Sequence, residues 1–279
     1  MKRKITLQHS AVLLLSLLLS AYTANAQDRI FTYTYQSSTL NKGQREIEIW
    51  NTLHSGRNEY YRGLKSRIEF EMGLASKLQT SFYLNFSSST SGLVVPGESS
   101  ERMLSSNYEF GFSNEWKLKL SDPSANKLGS AIYAELEISP SEMALETKLI
   151  LDKQYDRFYH ALNITMEPEW EAEAGTEEIL QEFEFEFGLN YGLVWNINTH
   201  WNAGIELMNI NKYAMDEHLE YAAVFIGPAL SYSTEKFWIN FTMMPQLPSL
   251  YQKDKNAESS LIFDGHEKIE ARLLFSFNL

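Results

Sequence analysis

Residues 268–279, KIEARLLFSFNL, decide the fold. Ile269, Ala271, Leu273, Phe275, Phe277 and Leu279 are apolar, Lys268, Glu270, Arg272, Ser276 and Asn278 are polar, and Leu274 alone breaks the rule. Successive side chains on a strand point to opposite faces, so this period of two reads as a strand with one apolar and one polar side. Such a terminal strand, with aromatics near its end, is expected to pair with the first strand and close the sheet.

Working outward, the same alternation recurs through the chain. Ile47, Ile49 and Leu53 oppose Glu46, Glu48, Trp50 and Thr52. Leu64, Ile68, Phe70, Met72 and Leu74 oppose Lys65, Arg67, Glu69 and Glu71. Phe183, Phe185, Phe187, Leu189, Tyr191, Leu193 and Trp195 oppose Glu184, Glu186, Gly188, Asn190 and Gly192. The stretch 221–232 is apolar on both faces and contains Pro228. The count comes to about twelve strands, an even number, as single-chain outer-membrane barrels require. Connections alternate between short turns (75–77, 121–127, 152–157, 196–199, 233–236) and mostly longer loops (87–106, 171–181, 209–220, 245–265). Long loops on the outside and short turns on the periplasmic side are the barrel rule. Residues 54–59 and 139–141 are short where the rule expects long.

The first 26 residues stand apart. Lys2, Arg3 and Lys4 precede the apolar run 11–19, and Ala24-Asn25-Ala26 supplies the small residues of a cleavage site. This pattern is that of a cleaved secretory signal peptide, with an apolar run too short for a membrane helix. Residues 27–44, rich in Thr, Tyr and Ser, form a periplasmic leader, and residues 45–279 the barrel. The chain has no Cys, which excludes a lipid anchor on Cys, disulfides and thiolate metal sites. Its formal charge is −12, and loss of the signal peptide removes three cations and no acid, taking it to −15. So acidic a chain is not a nucleic-acid binder, which needs cationic surface.

If both termini are periplasmic, Trp116, Trp195, Trp201, Phe237 and Phe277 fall near the inner rim and Trp170 near the outer one. Two aromatic girdles suit a bilayer, whose headgroup level favours amphipathic rings. A soluble β-sandwich also alternates but requires neither two girdles nor asymmetric connections. The signal peptide, the alternation and the FSFNL ending resemble Gram-negative outer-membrane β-barrels, and more narrowly the poorly characterised outer-membrane transporter families. The ending departs from the usual final Phe by closing on Leu279. The resemblance implies an all-β, antiparallel, up-and-down transmembrane barrel in the cell outer membrane. Its expected partners are outer-membrane lipid and, during biogenesis, the barrel-assembly machinery.

With the apolar face on lipid, the other face lines the lumen. Glu135, Glu137, Glu142, Glu146, Glu167, Glu169, Glu184 and Glu186 come from four neighbouring strands and form an acidic wall. Lys65, Arg67, Lys268 and Arg272 come from the second and last strands and form a basic wall, with Glu48, Glu69, Glu71 and Glu270 near enough to pair with them. Charged walls give pores selectivity, so one reading is a narrow pore or small-solute transporter favouring a cationic or zwitterionic solute. A second is a structural or surface-binding barrel with a closed, salt-bridged lumen, since small barrels can be filled by their own side chains. A third is an outer-membrane enzyme of phospholipase type. That one finds no support: no Ser and Asn flank a suitably placed His at the outer rim. No HExxH and no phosphate-binding loop occurs. His54, His218 and His266 fall in or beside the expected outer loops, and His160 on the lipid side. No cofactor and no catalytic residue is expected.

Overall fold

The computed structural model describes residues 29–94, 102–174, 179–213, 218–254 and 259–279. The signal peptide, residues 1–26, lies outside them. Twelve strands are present: β1 (Arg45–Ser55), β2 (Tyr61–Ala75), β3 (Leu78–Val94), β4 (Arg102–Ser121), β5 (Gly129–Ile138), β6 (Glu142–Tyr155), β7 (Phe158–Ala174), β8 (Ile179–Asn196), β9 (Trp201–Tyr213), β10 (Leu219–Ser233), β11 (Phe237–Gln252) and β12 (Ile269–Asn278). Each pairs with its sequence neighbours, and β1 pairs with β12 to close an antiparallel barrel. At that seam Ile47 lies opposite Phe277, Ile49 opposite Phe275 and Trp50 opposite Leu274. Among the described residues there is no helix.

Burial tells which way the alternation points. On β2, Ile68 is 45 % exposed while Glu69 is 2 % exposed. The same inversion holds on β3, where Phe82 is exposed and Tyr83 buried. A soluble sandwich would bury the apolar face. A closed sheet with apolar side chains outward and polar ones inward is the membrane-barrel arrangement.

The strands run past the ends expected from alternation. β3 and β4 reach Val94 and Arg102, β7 and β8 reach Ala174 and Ile179, and β9 and β10 reach Tyr213 and Leu219. Most of the expected long loops are therefore paired strand. Apolar alternation records contact with lipid, whereas backbone pairing needs only hydrogen bonds and continues where both faces are wet. At the other end of the barrel the turns are short. Ser76-Lys77 joins β2 to β3, and Asp156-Arg157 joins β6 to β7 with Asp156 at φ +52°. In the β4–β5 turn the Asp122 carboxylate accepts from the amides of Ser124 and Ala125 and from Lys119 Nζ at 2.5 Å. The Lys119 bond above all holds Asp122 below the usual carboxylate range.

Residues 29–40, expected as part of a periplasmic leader, lie inside the barrel, mostly in its turn-end half, and residues 41–43 are exposed. The polar lumen wall holds the backbone of residues 29–40. Glu206 on β9 accepts from the amides of Thr32 (2.7 Å) and Tyr33 (3.0 Å) and from the Thr32 hydroxyl (3.1 Å). Asn163 on β7 accepts from the Tyr35 amide and donates to its carbonyl, at 2.6 and 2.9 Å. Asp152 on β6 accepts from the amide and hydroxyl of Ser37, and Asn240 on β11 donates to the Arg29 carbonyl. Gly192 is required here, since a Cβ would come within 2.5 Å of the Phe31 ring.

Leu274, the exception in the terminal strand, is fully buried in the lumen. It joins Tyr35, Trp50, Tyr83, Tyr133 and Trp238 in one cluster. The two-faced stretch of β10 has a matching cause. Tyr221, Ala223 and Phe225 point inward onto Tyr33 and onto Ile262 of the β11–β12 connection.

Candidate functional site

Inter-strand register brings the glutamates together. One row of paired positions runs Glu46, Glu71, Ser81, Glu115, Glu135 and Glu146 across β1 to β6. The pairs Ala144–Glu169 and Thr147–Met166 bracket Glu146 opposite Glu167, and the row continues through Glu186 to Lys212 on β9. A second row, one residue pair further along, runs Glu48, Glu69, Tyr83, Ser113, Glu137, Ala144, Glu169 and Glu184. The strand pairs put like charges side by side, an arrangement that opposes folding unless cations or solvent compensate.

The rows divide by depth. Glu46, Glu48, Glu69, Glu71, Glu115 and Glu135 are buried. Glu137, Glu142, Glu146, Glu167, Glu169, Glu184 and Glu186 are half-buried, with solvent in reach, on β5–β8 toward the loop end. Between the two groups lies a floor of aromatic rings and cations. The Arg29 guanidinium sits 4.2 Å from the Tyr35 ring and 4.3 Å from the Trp50 ring. Arg67 stacks at 4.1 Å on Tyr83, Lys148 at 4.4 Å on Tyr35, and Arg272 at 3.9 Å on Tyr33. A cation held over aromatic faces and shielded from water gains about 2 kcal/mol.

The cations are not segregated on a basic wall facing the acidic one. Arg67 crosses to β5 and pairs with Glu135, while its Nε donates to Asn85 at 2.9 Å. Arg272 donates to Thr52 Oγ1 at 2.8 Å and to the Thr32 carbonyl at 3.3 Å. Lys65 and Lys268 are exposed. The pairing of these four with Glu48, Glu69, Glu71 and Glu270 is replaced by other partners. Glu48 meets Arg29 at 3.7 Å, and Glu270 accepts from the Tyr33 hydroxyl at 3.2 Å. The pleat decides which face a side chain takes, but which inward residue meets which depends on strand tilt and on the inserted segment.

The expected walls omit three cations. Arg29 lies in a stretch with no alternation. Lys148 pairs with Glu146 inside the acidic wall itself. Lys212, beyond the apolar-patterned part of β9, reaches Glu184 at 2.8 Å and Asp264 at 3.6 Å. The phase of alternation from Glu206 onward would have placed Lys212 inward.

At the loop end, the β11–β12 connection folds back over β1. Arg57 donates to Glu267 Oε1 from Nη2 at 2.5 Å and from Nε at 3.0 Å, and His54 Nδ1 lies 2.8 Å from Oε2. Burial alone would push the Glu267 carboxyl up, but the bonds and charges of His54 and Arg57 outweigh it and hold the group below the usual range. Burial lowers His266, which packs edge-on against Tyr221 and Phe225. Among the proposed girdle residues, Trp116, Trp170, Trp195, Trp201 and Phe277 are exposed on the outer surface and Phe237 is half-buried beside Tyr232.

This architecture is that of the outer-membrane channels. The barrel matches the COG4313 outer membrane channel from Pseudomonas putida F1 with a TM-score of 0.59 and 10 % identity, over 90 % of this chain and 100 % of that one. It matches the NanC porin at 0.50 and 10 %, over 84 % of this chain and 100 % of that one. The KdgM porin, solved in complex with disordered oligogalacturonate, also matches at 0.50 and 10 %, over 84 % and 99 %. At these identities the likeness is one of fold. The chain belongs to a family of unknown function, DUF6662, whose profile matches residues 23–279. No curated protein matches it.

Proposed function

We propose that this protein is a narrow outer-membrane pore or small-solute transporter that favours cationic or zwitterionic solutes and rests closed. An acidic vestibule formed by the half-buried glutamates of β5–β8 carries the reading. Seven glutamates of β5–β8 lie half-buried around one polar space, facing the loop end, where a solute from outside would enter. Carboxylates in so confined a space attract cations and repel anions. The apolar outer surface is the part that meets outer-membrane lipid, with the barrel-assembly machinery as the partner in insertion. The structural likeness to channels and porins supports this reading over an enzymatic one.

Reconstitution in planar bilayers at constant salt tests it. Replacing Glu167, Glu184 and Glu186 together by Gln is expected to move the reversal potential toward anion permeation. Unchanged selectivity in a conducting triple variant would sink the reading. One observation favours the alternative of a sealed structural or surface-binding barrel: residues 29–40 and the aromatic–cation floor fill the turn-end half. A channel should conduct at least tenfold more once residues 29–40 are deleted. A barrel sealed by its own wall side chains should stay silent when that segment is removed.

A further inference from the structure

We propose that a hard divalent cation of the calcium type binds below the floor, between β1, β2 and the inserted N-terminal segment, held by Glu46, Glu48, Glu69 and Glu71. Carboxylate oxygens of Glu46, Glu48 and Glu71 lie within 4.8 Å of one another, and all three residues are buried. Calcium–oxygen distances of about 2.3–2.6 Å allow two ligands of one ion to sit up to about 5 Å apart. The three oxygens are thus already at the spacing of a shared ion. They border a cavity of about 20 Å³, also lined by Glu69, Glu115, Gln79 and Arg29. That is room for one ion or one water.

The independent sign is Glu69. It is 2 % exposed, lines this cavity, and its Oε2 is buried without a hydrogen-bond partner. A buried carboxylate oxygen left unsatisfied is costly, and a cation in the cavity would satisfy it. The charge balance points the same way. Glu46, Glu48, Glu69, Glu71 and Glu115 surround the cavity with only Arg29 and Lys117 as cations, an excess of three negative charges when all are ionised.

The surrounding donors hold the carboxylates in place. Trp238 Nε1 and the Ser276 hydroxyl donate to Glu46, Trp50 Nε1 donates to Glu48 at 2.8 Å, and Gln79 donates to Glu71. Outer hydrogen bonds of this kind orient metal ligands. A donor set of oxygens alone selects calcium or magnesium over zinc or copper.

Full-length protein, folded in detergent and stripped with a chelator, is titrated with terbium under tryptophan excitation. Trp50 and Trp238 touch the site carboxylates, so bound terbium is expected to luminesce and calcium to displace it. Glu69→Gln and Glu71→Gln are each expected to weaken terbium binding at least tenfold, with Asp122→Asn in the β4–β5 turn leaving it unchanged. No emission from the folded wild type, emission that survives both site variants, or loss with Asp122→Asn overturns the proposal. Should the site variants fail to fold, the readout is the wild-type unfolding temperature. Calcium is expected to raise it in wild type and in Asp122→Asn alike, and no rise overturns the site.

Discussion

The inner faces of β2–β8 and of β9–β12 follow one alternation and carry different chemistry. Across β2–β8 the inward residues include Glu69, Glu71, Glu115, Glu135, Glu146, Glu167 and Glu186, and the space before those of β5–β8 stays polar. Across β9–β12 they include Met208, Tyr221, Phe225, Met244 and Leu274, and protein covers them. Tyr33 arrives from the N-terminal segment and Ile262 from the β11–β12 connection, and both settle in one cluster. The Gln246 side chain locks that contact, its Oε1 accepting from the Ile262 amide at 2.7 Å and its Nε2 donating to the Ile262 carbonyl at 2.8 Å. The turn-end halves of both walls thus seat inserted chain, and the difference lies toward the loop end, where one wall is covered by protein and the other is left to water and ions. The pleat decides which residues point inward, but only their chemistry decides whether the lumen is filled or left open.

The largest effect is expected where the two walls join. Deleting Phe275–Leu279 removes the β12 residues opposite Glu46, Ile47, Glu48 and Ile49 and leaves that end of β1 an unpaired edge, which lipid does not tolerate. Membrane assembly, followed by heat-modifiable gel mobility, is expected to be lost, and assembly that survives would refute closure by this strand. Next is Glu206→Ala, which strips the acceptor from two buried amides and a hydroxyl. With each unsatisfied buried donor costing about 1–3 kcal/mol, residues 29–40 should undock from an intact barrel. Limited proteolysis reads this as cleavage inside that segment, and unchanged protection would show that the packed wall does not depend on Glu206.

Smaller is Arg272→Gln, which removes bonds to Thr52 and Thr32 and a stack on Tyr33. Assembly is expected to persist, with unfolding shifted by about 1–2 kcal/mol in a urea midpoint. Abolished assembly would mean that Arg272 serves the barrel rather than the inserted segment. The smallest effect is on the loop latch. Glu267 is held below its ordinary value near 4.5, so its contribution is full above that pH and fades as pH falls through its lowered value. Hydrogen exchange in residues 259–267 should quicken below about pH 4.5 in wild type. If Arg57→Ala quickens at the same pH, the latch does not run through Glu267.

The barrel was legible because lipid imposes a pattern on residues such as Leu64, Ile68 and Phe82 whatever they enclose. Strand ends were not, since β3 and β4 stay paired through Ser89–Asn107 and Thr90–Ser106, where the sequence no longer alternates apolar with polar. The vestibule glutamates could be read from parity alone. Their partners could not, because Arg67 reaches Glu135 three strands away, a contact set by the curvature of the wall. The inserted segment left a fainter trace. Residues 29–40 are held largely through backbone, and Asn163, Asp152 and Glu206 resemble any polar lumen residue. The legible hints were the misfits, Trp50 and Leu274, large apolar residues on faces otherwise polar.

Those two misfits have a consequence for how the molecule comes apart. Trp50 and Leu274 are cross-strand partners at the β1–β12 seam, and both pack in the cluster that holds Tyr35. The seam cannot part sideways without stripping Tyr35 of its neighbours, and Tyr35 cannot withdraw without baring the seam. The docked segment therefore braces the seam from inside, so a lateral gate is the exit route this barrel is least able to use while residues 29–40 stay in place.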